Sequence, residues 1–391
     1  MKIRSLLLGS AAAMTAVTTA NAADVFIPEP EVVEYVRVCD AAGEGYFYIP
    51  GSETCLKIGG YVRYQIDVET RYAGGVAVAG AFPPGVAVFQ NGAARTGWTK
   101  NTRGQLTFET WTDSDLGALT SYIALQGNSN PGVTRTVALD AAWLDLAGLR
   151  MGVNDNAFDG GIVGESDSLG GAKVNFISYT FTNGPFSATL SLDDDNAADS
   201  IVAPGLPDFV PHVSANAMYD FGLGEAALFA AYDNLTDEWA VKGRVGVDVG
   251  EAGRLEVAAY YTSGATYVLS GTSTFGVKEG IVAPPLAASA YATGVPLWSE
   301  WSVQAGYQHQ VTDALALTGN VGYWDNLGHA DNFIVGPNNN YDIWNVGAVL
   351  DYEITEGFDV KLAITHWMPL ADAGTVLESK TTGFARFQRS F

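Results

Sequence analysis

Polar and apolar residues alternate along most of the chain with a period of two. Between residues 57 and 68, Ile58, Val62, Ile66 and Val68 are apolar, and the positions between them carry charged or polar side chains such as Arg63. Successive side chains of a β-strand point to opposite faces, so this pattern predicts a strand with one apolar and one polar face. Similar segments recur down to the C-terminus, without helical periodicity of comparable length. The sequence therefore predicts an all-β protein.

The connections between the predicted strands alternate between short and long. Short turns fall near residues 112–117, 147–148, 182–185, 222–225, 250–253, 312–314 and 355–357, and longer connections at 70–99, 127–133, 155–173, 193–211, 233–238, 263–297, 325–340 and 368–380. These seven short and eight long connections imply sixteen antiparallel strands. An even number of strands, each about ten residues long, with short periplasmic turns and long extracellular loops, is typical of a transmembrane β-barrel of the bacterial outer membrane.

A soluble β-sandwich would show the same alternation, because its apolar face would pack inward. The length of the strands and the alternation of the connections favour the membrane barrel, as do aromatic residues near the segment ends, which are typical of interfacial girdles. These aromatic residues are Tyr179, Phe181, Tyr219, Phe221, Trp301, Tyr323, Trp324 and Trp344. Two segments, 137–146 and 226–232, alternate poorly, and a β-bulge or burial against another subunit would explain either one.

The N-terminus has the features of a secretory signal peptide. Lys2 and Arg4 precede an apolar run, and Ala20-Asn21-Ala22 is a small-x-small cleavage site. The alternative, an N-terminal anchor helix, is disfavoured because the apolar run is shorter than the roughly 18 residues that span a membrane. The predicted organisation is a signal peptide at 1–22, an N-terminal segment at 23–56 and the barrel at 57–391.

Composition excludes two classes of protein. With 20 Lys and Arg against 43 Asp and Glu, the formal charge of the 391 residues is −23, which excludes a nucleic-acid binder that depends on phosphate contacts. An aromatic content of 12% excludes a disordered chain. Only 16% of the residues are charged, below the value of about 25% that is usual for soluble domains, as expected if the apolar faces of the strands meet lipid.

Cys39 and Cys55 are the two cysteines of the chain, and they predict a single disulfide in an oxidising compartment. Two unpaired buried thiols are the alternative. The four histidines are scattered, and we predict no metal centre and no cofactor. The acidic run Asp193-Asp194-Asp195-Asn196 could bind Ca²⁺, but the Gly and Glu spacing of a calcium loop is missing, so the sequence favours a solvated loop.

Four segments near the N-terminus resemble the opening of the alphaproteobacterial general porin family: Val36-Arg37-Val38-Cys39-Asp40, Gly45-Tyr46-Phe47-Tyr48-Ile49-Pro50-Gly51, Thr54-Cys55-Leu56 and Gly60-Tyr61-Val62-Arg63-Tyr64. The last residues, Phe384-Ala385-Arg386-Phe387-Gln388-Arg389-Ser390-Phe391, resemble that family too. The resemblance implies a homotrimer of sixteen-stranded barrels in the outer membrane of a Gram-negative bacterium, in contact with lipid and lipopolysaccharide. It also implies passive diffusion of small hydrophilic solutes and ions, without enzymatic chemistry. Phe391 matches the C-terminal aromatic residue that serves as an assembly signal, whereas Arg389 departs from the apolar pattern before it.

The resemblance further implies that the third long loop folds into the barrel and narrows its channel. By its position in the chain, this loop is the segment 155–173. It carries Asp155, Asp159, Glu165 and Asp167 against Lys173 alone. The basic residues on the predicted inner faces are Arg63, Arg103, Arg150, Lys242, Arg244, Arg254, Lys361 and Arg386. An acidic loop opposite a basic wall would create a transverse field, and we expect a mild preference for cations. The alternative is that these acidic and basic residues are solvated charges on the water-facing side of the barrel, without a role in selection. Arg63 and Arg386 form the best candidate pair, because barrel closure makes their strands neighbours.

Two other functional classes stay open at this point. An outer-membrane hydrolase would place a histidine on the outer face, where His309 and His366 are predicted to lie. A surface adhesin would need ordered loops, which a sequence does not reveal. Packing at the membrane interface explains these two histidines more simply, and we predict a channel rather than an enzyme.

Overall fold

The computed structural model describes residues 37–77, 87–129, 135–165, 169–194, 210–264, 266–272, 282–283, 297–327, 341–370 and 379–391. The predicted signal peptide at 1–22 lies outside these residues, as do Asp167, Asp195 and Asn196. Among the described residues, no helix has the length and apolar character needed to cross a bilayer.

Sixteen long strands account for most of the described chain. They are β1 (Cys55–Ala77), β2 (Ala87–Thr112), β3 (Leu119–Ser129), β4 (Val137–Leu146), β5 (Leu149–Asp155), β6 (Lys173–Asn183), β7 (Phe186–Asp194), β8 (His212–Asp220), β9 (Gly224–Asp233), β10 (Glu238–Val249), β11 (Gly253–Thr262), β12 (Trp301–Thr312), β13 (Leu315–Leu327), β14 (Tyr341–Thr355), β15 (Phe358–Pro369) and β16 (Lys380–Ser390). Each strand pairs antiparallel with its neighbours in sequence, and β1 pairs with β16. The predicted closed barrel of sixteen antiparallel strands is thus confirmed.

The strands expose their apolar side chains on the outside and bury their polar side chains inside, which is the reverse of a soluble sandwich. Leu190 and Ile364 are 57% and 56% exposed on the outside, whereas their polar neighbours Ser191 and Thr365 are 1% and 7% exposed inside. A soluble protein would bury the apolar set instead. The outer face is therefore the lipid-facing surface of a membrane barrel, and the sandwich is excluded.

Aromatic residues line the outer face near both rims of the barrel. Trp239 and Tyr261 have ring centroids 5.4 Å apart, and Trp301, Tyr323 and Trp344 continue the row with spacings of 5.0 and 4.9 Å. This row lies at the rim that carries the β11–β12 and β13–β14 connections. Near the other rim Tyr179, Phe181, Tyr219 and Phe221 are exposed. Aromatic girdles at both interfaces are typical of outer-membrane barrels.

Trp324 does not belong to the girdle that the sequence predicted. Its side chain is fully buried on the inner face and packs 5.2 Å from the ring of Trp367. Because neighbouring residues of a strand point to opposite faces, only one residue of the pair Tyr323 and Trp324 can face lipid, and that residue is Tyr323.

Two connections differ from the sequence-based expectation. The predicted loop 70–99 is largely a paired hairpin, since β1 continues to Ala77 and β2 begins at Ala87, with Val76 opposite Gln90. Backbone pairing requires no particular alternation of side chains, so the sequence does not reveal it. The predicted long connection 233–238 is a tight turn in which the Asp233 carboxylate accepts the backbone N–H groups of Leu235 and Thr236.

The two poorly alternating segments have different explanations. In β4 the register shifts between the pairs Ala124–Ala141 and Leu125–Leu139, which leaves Asp140 as the extra residue of a β-bulge. In β9 the inner face carries Phe229 between small residues because an inward-folded segment packs against it. A bulge thus explains the first segment, and burial inside the barrel, not against another subunit, explains the second.

The N-terminal segment is attached to the start of the barrel. Cys39 and Cys55 form the predicted disulfide, with 6.0 Å between their Cα atoms, and both are fully buried. β1 begins at Cys55, so the barrel includes the end of the predicted segment 23–56. The Tyr46 hydroxyl donates to Glu109 Oε2 at 2.8 Å, and burial together with that carboxylate raises the pKa of Tyr46 to about 12.

The C-terminus completes closure of the barrel. The backbone N–H of Phe391 donates to the carbonyl of Gly60, and the N–H of Gly60 donates to the carbonyl of Phe391, both at 3.1 Å. Arg389, the departure from the apolar pattern, lies on the outer face at the short β14–β15 turn. There its guanidinium donates to the Glu356 carbonyl at 2.8 Å.

Candidate functional site

The connection between β5 and β6 folds into the barrel and builds a packed core there. Phe158 is fully buried and meets the rings of Phe229 and Tyr260 edge-on, with centroid distances of 6.3 and 6.0 Å. Ile162 and Leu169 belong to the same cluster. The inner faces of β9 and β11 are therefore apolar where this segment covers them, and polar elsewhere. We call residues 155–173 the constriction segment.

Polar side chains of the wall hold the backbone of the constriction segment. The Arg244 guanidinium donates to the Gly161 carbonyl at 2.8 Å, and the N–H of Val163 donates to Glu256 Oε2 at 2.7 Å. Backbone groups in an irregular segment inside a barrel need such partners. These bonds fix the segment against β10 and β11.

Two glycines allow the constriction segment to approach the wall closely. A Cβ atom at Gly160 would lie 2.8 Å from the Phe229 ring, and one at Gly306 would lie 2.6 Å from the Val163 carbonyl oxygen. Any larger residue at either position would displace the segment.

Glu165 connects the constriction segment to the basic side of the wall. Its Oε1 atom lies 2.7 Å from Lys361 Nζ and 3.4 Å from an Arg386 guanidinium nitrogen. Lys361 and Arg386 stand directly opposite each other on β15 and β16, and Lys361 also contacts Asp351 at 3.1 Å. Glu165 therefore contacts two basic residues that the sequence singled out.

Arg63 and Arg386 lie on neighbouring strands, as expected, but the register staggers them. Arg63 is opposite Gln388 and donates to its Oε1 at 2.8 Å, while Arg386 is opposite Gln65 and donates to its Oε1 at 2.7 Å. The residue directly opposite Arg63 on its other side is Arg103. Lys361, Arg386, Arg63 and Arg103 thus form a basic ladder across the four adjacent strands β15, β16, β1 and β2.

Three other predicted wall residues are neutralised locally. The pairs are Arg150 with Asp145 at 3.1 Å, Arg244 with Glu225 at 2.8 Å, and Arg254 with Glu256, Asp248 and Glu225 at 2.7, 3.0 and 3.2 Å. Sequence reasoning missed these carboxylates, although Asp145, Glu225 and Glu256 occupy polar positions of alternating segments and were identifiable by that signal.

Lys242 does not line the water-filled lumen as predicted. It faces inward, but it is only 1% exposed because the constriction segment covers it. Its Nζ atom lies 4.6 Å from the ring centroids of both Phe158 and Phe229 and donates to the Gly170 carbonyl at 3.3 Å. Such cation–π contacts stabilise a desolvated ammonium group. Lys242 is therefore part of the support of the segment.

Asp155 and Asp159 lie on the open side of the constriction segment. They line a cavity of about 340 Å³ together with Lys173, whose Nζ atom is 2.9 Å from Asp140 Oδ1. Within the described ranges, neither Asp155 nor Asp159 forms an ion pair, and neither Arg63 nor Arg103 does. Four of the charged residues that the sequence singled out are thus without an ion-pair partner in this part of the structure.

Of the acidic run at 193–196, for which the sequence favoured a solvated loop over a Ca²⁺ site, the structure describes Asp193 and Asp194. Asp193 is fully buried and accepts hydrogen bonds from the hydroxyls of Ser191, Ser214 and Tyr267, at 2.5, 2.6 and 2.9 Å. The structure describes no group of three or more His, Cys, Asp or Glu residues arranged to hold a metal ion among the residues it covers.

The two histidines considered for a hydrolase both lie on the lipid-facing surface. His309 Nδ1 is 3.3 Å from the Tyr307 hydroxyl, and His366 Nδ1 is 2.8 Å from the Thr381 hydroxyl. Their partners are a tyrosine and a threonine, so these contacts are not the serine–histidine pair of a serine hydrolase.

The chain is similar to known proteins over its whole length. A family model described as "Porin subfamily" matches residues 24–387. The chain is 33% identical over 420 residues to Porin Omp2b of Brucella suis, covering 100% of both chains. It is 34% identical over 382 residues to Outer membrane protein IIIA of Rhizobium leguminosarum, covering 94% of this chain and 90% of that protein. Its fold is similar to the outer membrane channel DcaP of Acinetobacter baumannii, with a TM-score of 0.62 and 14% identity over 88% of this chain and 99% of that chain.

Proposed function

This chain belongs to the porin family and is an outer-membrane channel, and we propose that its constriction segment and the facing basic ladder form the filter of the pore. The observation that carries the proposal is the contact of Glu165 with Lys361 and Arg386, which brings the acidic segment to the basic wall. Small hydrophilic solutes and ions pass by passive diffusion through the water that remains beside the segment.

The charges that select solutes are those without an ion-pair partner. Asp155 and Asp159 stand on the constriction segment, and Arg63 and Arg103 stand on the wall at β1 and β2. Opposite charges separated by a water-filled gap produce a field across the pore, which orients dipolar solutes. The field supports selection by size and charge, without any chemical step.

The four unpaired charges balance, two acidic and two basic, so we expect only a mild preference for cations, which comes from the acidic excess of the whole chain, 43 Asp and Glu against 20 Lys and Arg. The test is the reversal potential of the purified protein in a planar bilayer under a salt gradient. Cation preference agrees with the proposal, anion selectivity contradicts the assigned charge roles, and absence of conductance contradicts the channel itself.

We propose that three copies associate through the outer face of β16, β1, β2 and β3. Between exposed apolar residues such as Val62 and Leu106, that face carries glycine and hydroxyl residues, namely Gly60, Thr102, Gly104, Thr110, Ser121, Gly127, Thr381 and Gly383. Hydroxyl groups are unfavourable against hydrocarbon, and small residues allow close approach of protein surfaces in membranes. The opposite side of the barrel carries the aromatic row from Trp239 to Trp344, as expected for contact with lipid. Closure of single-channel current in three equal steps would support the trimer.

A further inference from the structure

A second segment also folds into the barrel, beyond the end of β11. Residues 266–270, which we call the strap, lie inside the lumen, where Thr266, Val268 and Ser270 are 4%, 0% and 0% exposed. The far end of the strap is tied to the wall, because the Ser270 and Ser302 hydroxyls are 2.9 Å apart. The strap is therefore part of the packed interior and not a surface loop.

The strap packs directly on the constriction segment. Val268 belongs to the same apolar cluster as Phe158 and Leu169. A Cβ atom at Gly170 would lie 2.3 Å from the Val268 carbonyl oxygen, so glycine is required for this close approach. The Tyr260 hydroxyl donates to that same carbonyl at 3.3 Å. The constriction segment is thus held between the wall and the strap.

Tyr267 anchors the strap to the wall by three contacts. Its backbone N–H donates to Asp233 Oδ2 and its hydroxyl donates to Asp193 Oδ2, both at 2.9 Å. Its ring stacks on His212 with 4.5 Å between centroids. Burial and the neighbouring Asp193 carboxylate raise the pKa of Tyr267.

We propose that the strap holds the constriction segment in its inward position, with Tyr267 and Asp193 as its positioning residues. The proposal rests on the channel function and adds a control of pore opening that is separate from the charged filter. Loss of the anchor releases the strap, Val268 leaves the apolar cluster, and the constriction segment gains freedom to move across the pore.

The test is single-channel recording of the full-length protein with Tyr267→Phe, which removes only the hydroxyl. One hydrogen bond to a carboxylate is lost, so we expect the fraction of time in partly closed states to rise about tenfold. The conductance of the fully open state and the heating temperature at which the barrel unfolds are expected to remain as in the unsubstituted protein.

Tyr232→Phe is the matched control, because Tyr232 is exposed and its hydroxyl donates to Asp237 at 2.5 Å and not to the carboxylates that hold the strap. Val268→Ala tests the same proposal independently, since it keeps the anchor and removes the contact with the constriction segment. Unchanged closures in both Tyr267→Phe and Val268→Ala overturn the proposal. If Tyr267→Phe does not assemble, the closures of Val268→Ala alone test the proposal, and unchanged closures in that variant overturn it. Absence of conductance in the unsubstituted protein would contradict the porin function instead.

Discussion

Glu165 and Lys361 meet inside the barrel, where Oε1 of the carboxylate lies 2.7 Å from Nζ of the ammonium group. The two residues are 196 positions apart in the chain. Their contact joins the tip of the constriction segment to the basic ladder and leaves Arg63 and Arg103 without a carboxylate partner in the described structure.

Removing the charge of Glu165 exposes two cations to the pore. We expect Glu165→Gln to lower the ratio of cation to anion permeability by roughly two- to threefold, the effect of one unit charge about 8 Å from the ion path in water. Reversal potentials in a salt gradient measure the ratio. Glu251→Gln, in the exposed turn between β10 and β11, removes the same charge outside the filter and is the control. An equal shift in both variants would contradict the assigned role.

Neutralising the other half of the ladder has the opposite effect. We expect the double substitution of Arg63→Gln with Arg103→Gln to raise the preference for cations by about fivefold, because two unit charges are removed from the wall. Arg135→Gln is the control, since Arg135 is exposed and its guanidinium donates to the Ser129 hydroxyl at 3.1 Å. This change in the permeability ratio should be smaller in 1 M salt, because the Debye length there is only about 3 Å and the wall charges are screened.

We expect the disulfide to stabilise the N-terminal segment rather than the barrel. Its cysteines are 16 positions apart, and closing a loop of that size contributes about 3 kcal/mol in the chain-entropy model. We expect Cys39→Ser with Cys55→Ser to accelerate hydrogen exchange in residues 38–54 while exchange in β6 to β15 stays unchanged. Mass spectrometry of exchanged peptides measures both regions. Equal protection of residues 38–54 in both forms would show that the disulfide contributes nothing there.

A matched pair of glycines tests the proposed subunit interface. Gly104 on β2 and Gly319 on β13 both face outward, and a Cβ atom at either would meet nothing within 4 Å. We expect Gly104→Leu to dissociate the trimer, since overpacking costs roughly 1–3 kcal/mol at each interface, and Gly319→Leu to leave it intact. Light scattering in detergent gives the oligomeric state. Trimers in both variants would place the interface elsewhere.

The terminal residue separates closure of the barrel from recognition during assembly. Phe391→Ala keeps both backbone hydrogen bonds with Gly60 and removes the ring, which packs 3.2 Å from the Cβ position of Gly60. If the ring is the assembly signal, the yield of folded barrel in the outer membrane falls severalfold, and Phe391→Tyr restores it. Normal yield for the alanine variant would assign the role of Phe391 to its backbone.

The alternation of residues was enough to predict the barrel, because lipid on one side of a strand and water on the other select side chains with a period that is visible locally. Ile58, Val62 and Val68 follow it without regard to the rest of the chain. The disulfide could be predicted equally well, since Cys39 and Cys55 are the two cysteines of the chain. The strand count and the lipid-facing surface followed from the same local rule.

The contacts of the filter depend on register and on long-range folding, which local patterns do not encode. A shift of one residue between β1 and β2 would turn every side chain to the other face, and it is the register that places Arg103 opposite Arg63. Lys242 looked like a wall charge, yet the constriction segment covers it. Trp324 looked like a girdle residue, yet it faces inward. The strap has no sequence signal, because its position depends on Asp193 and Asp233, which lie 74 and 34 residues from Tyr267 in the chain and meet it only in the closed barrel.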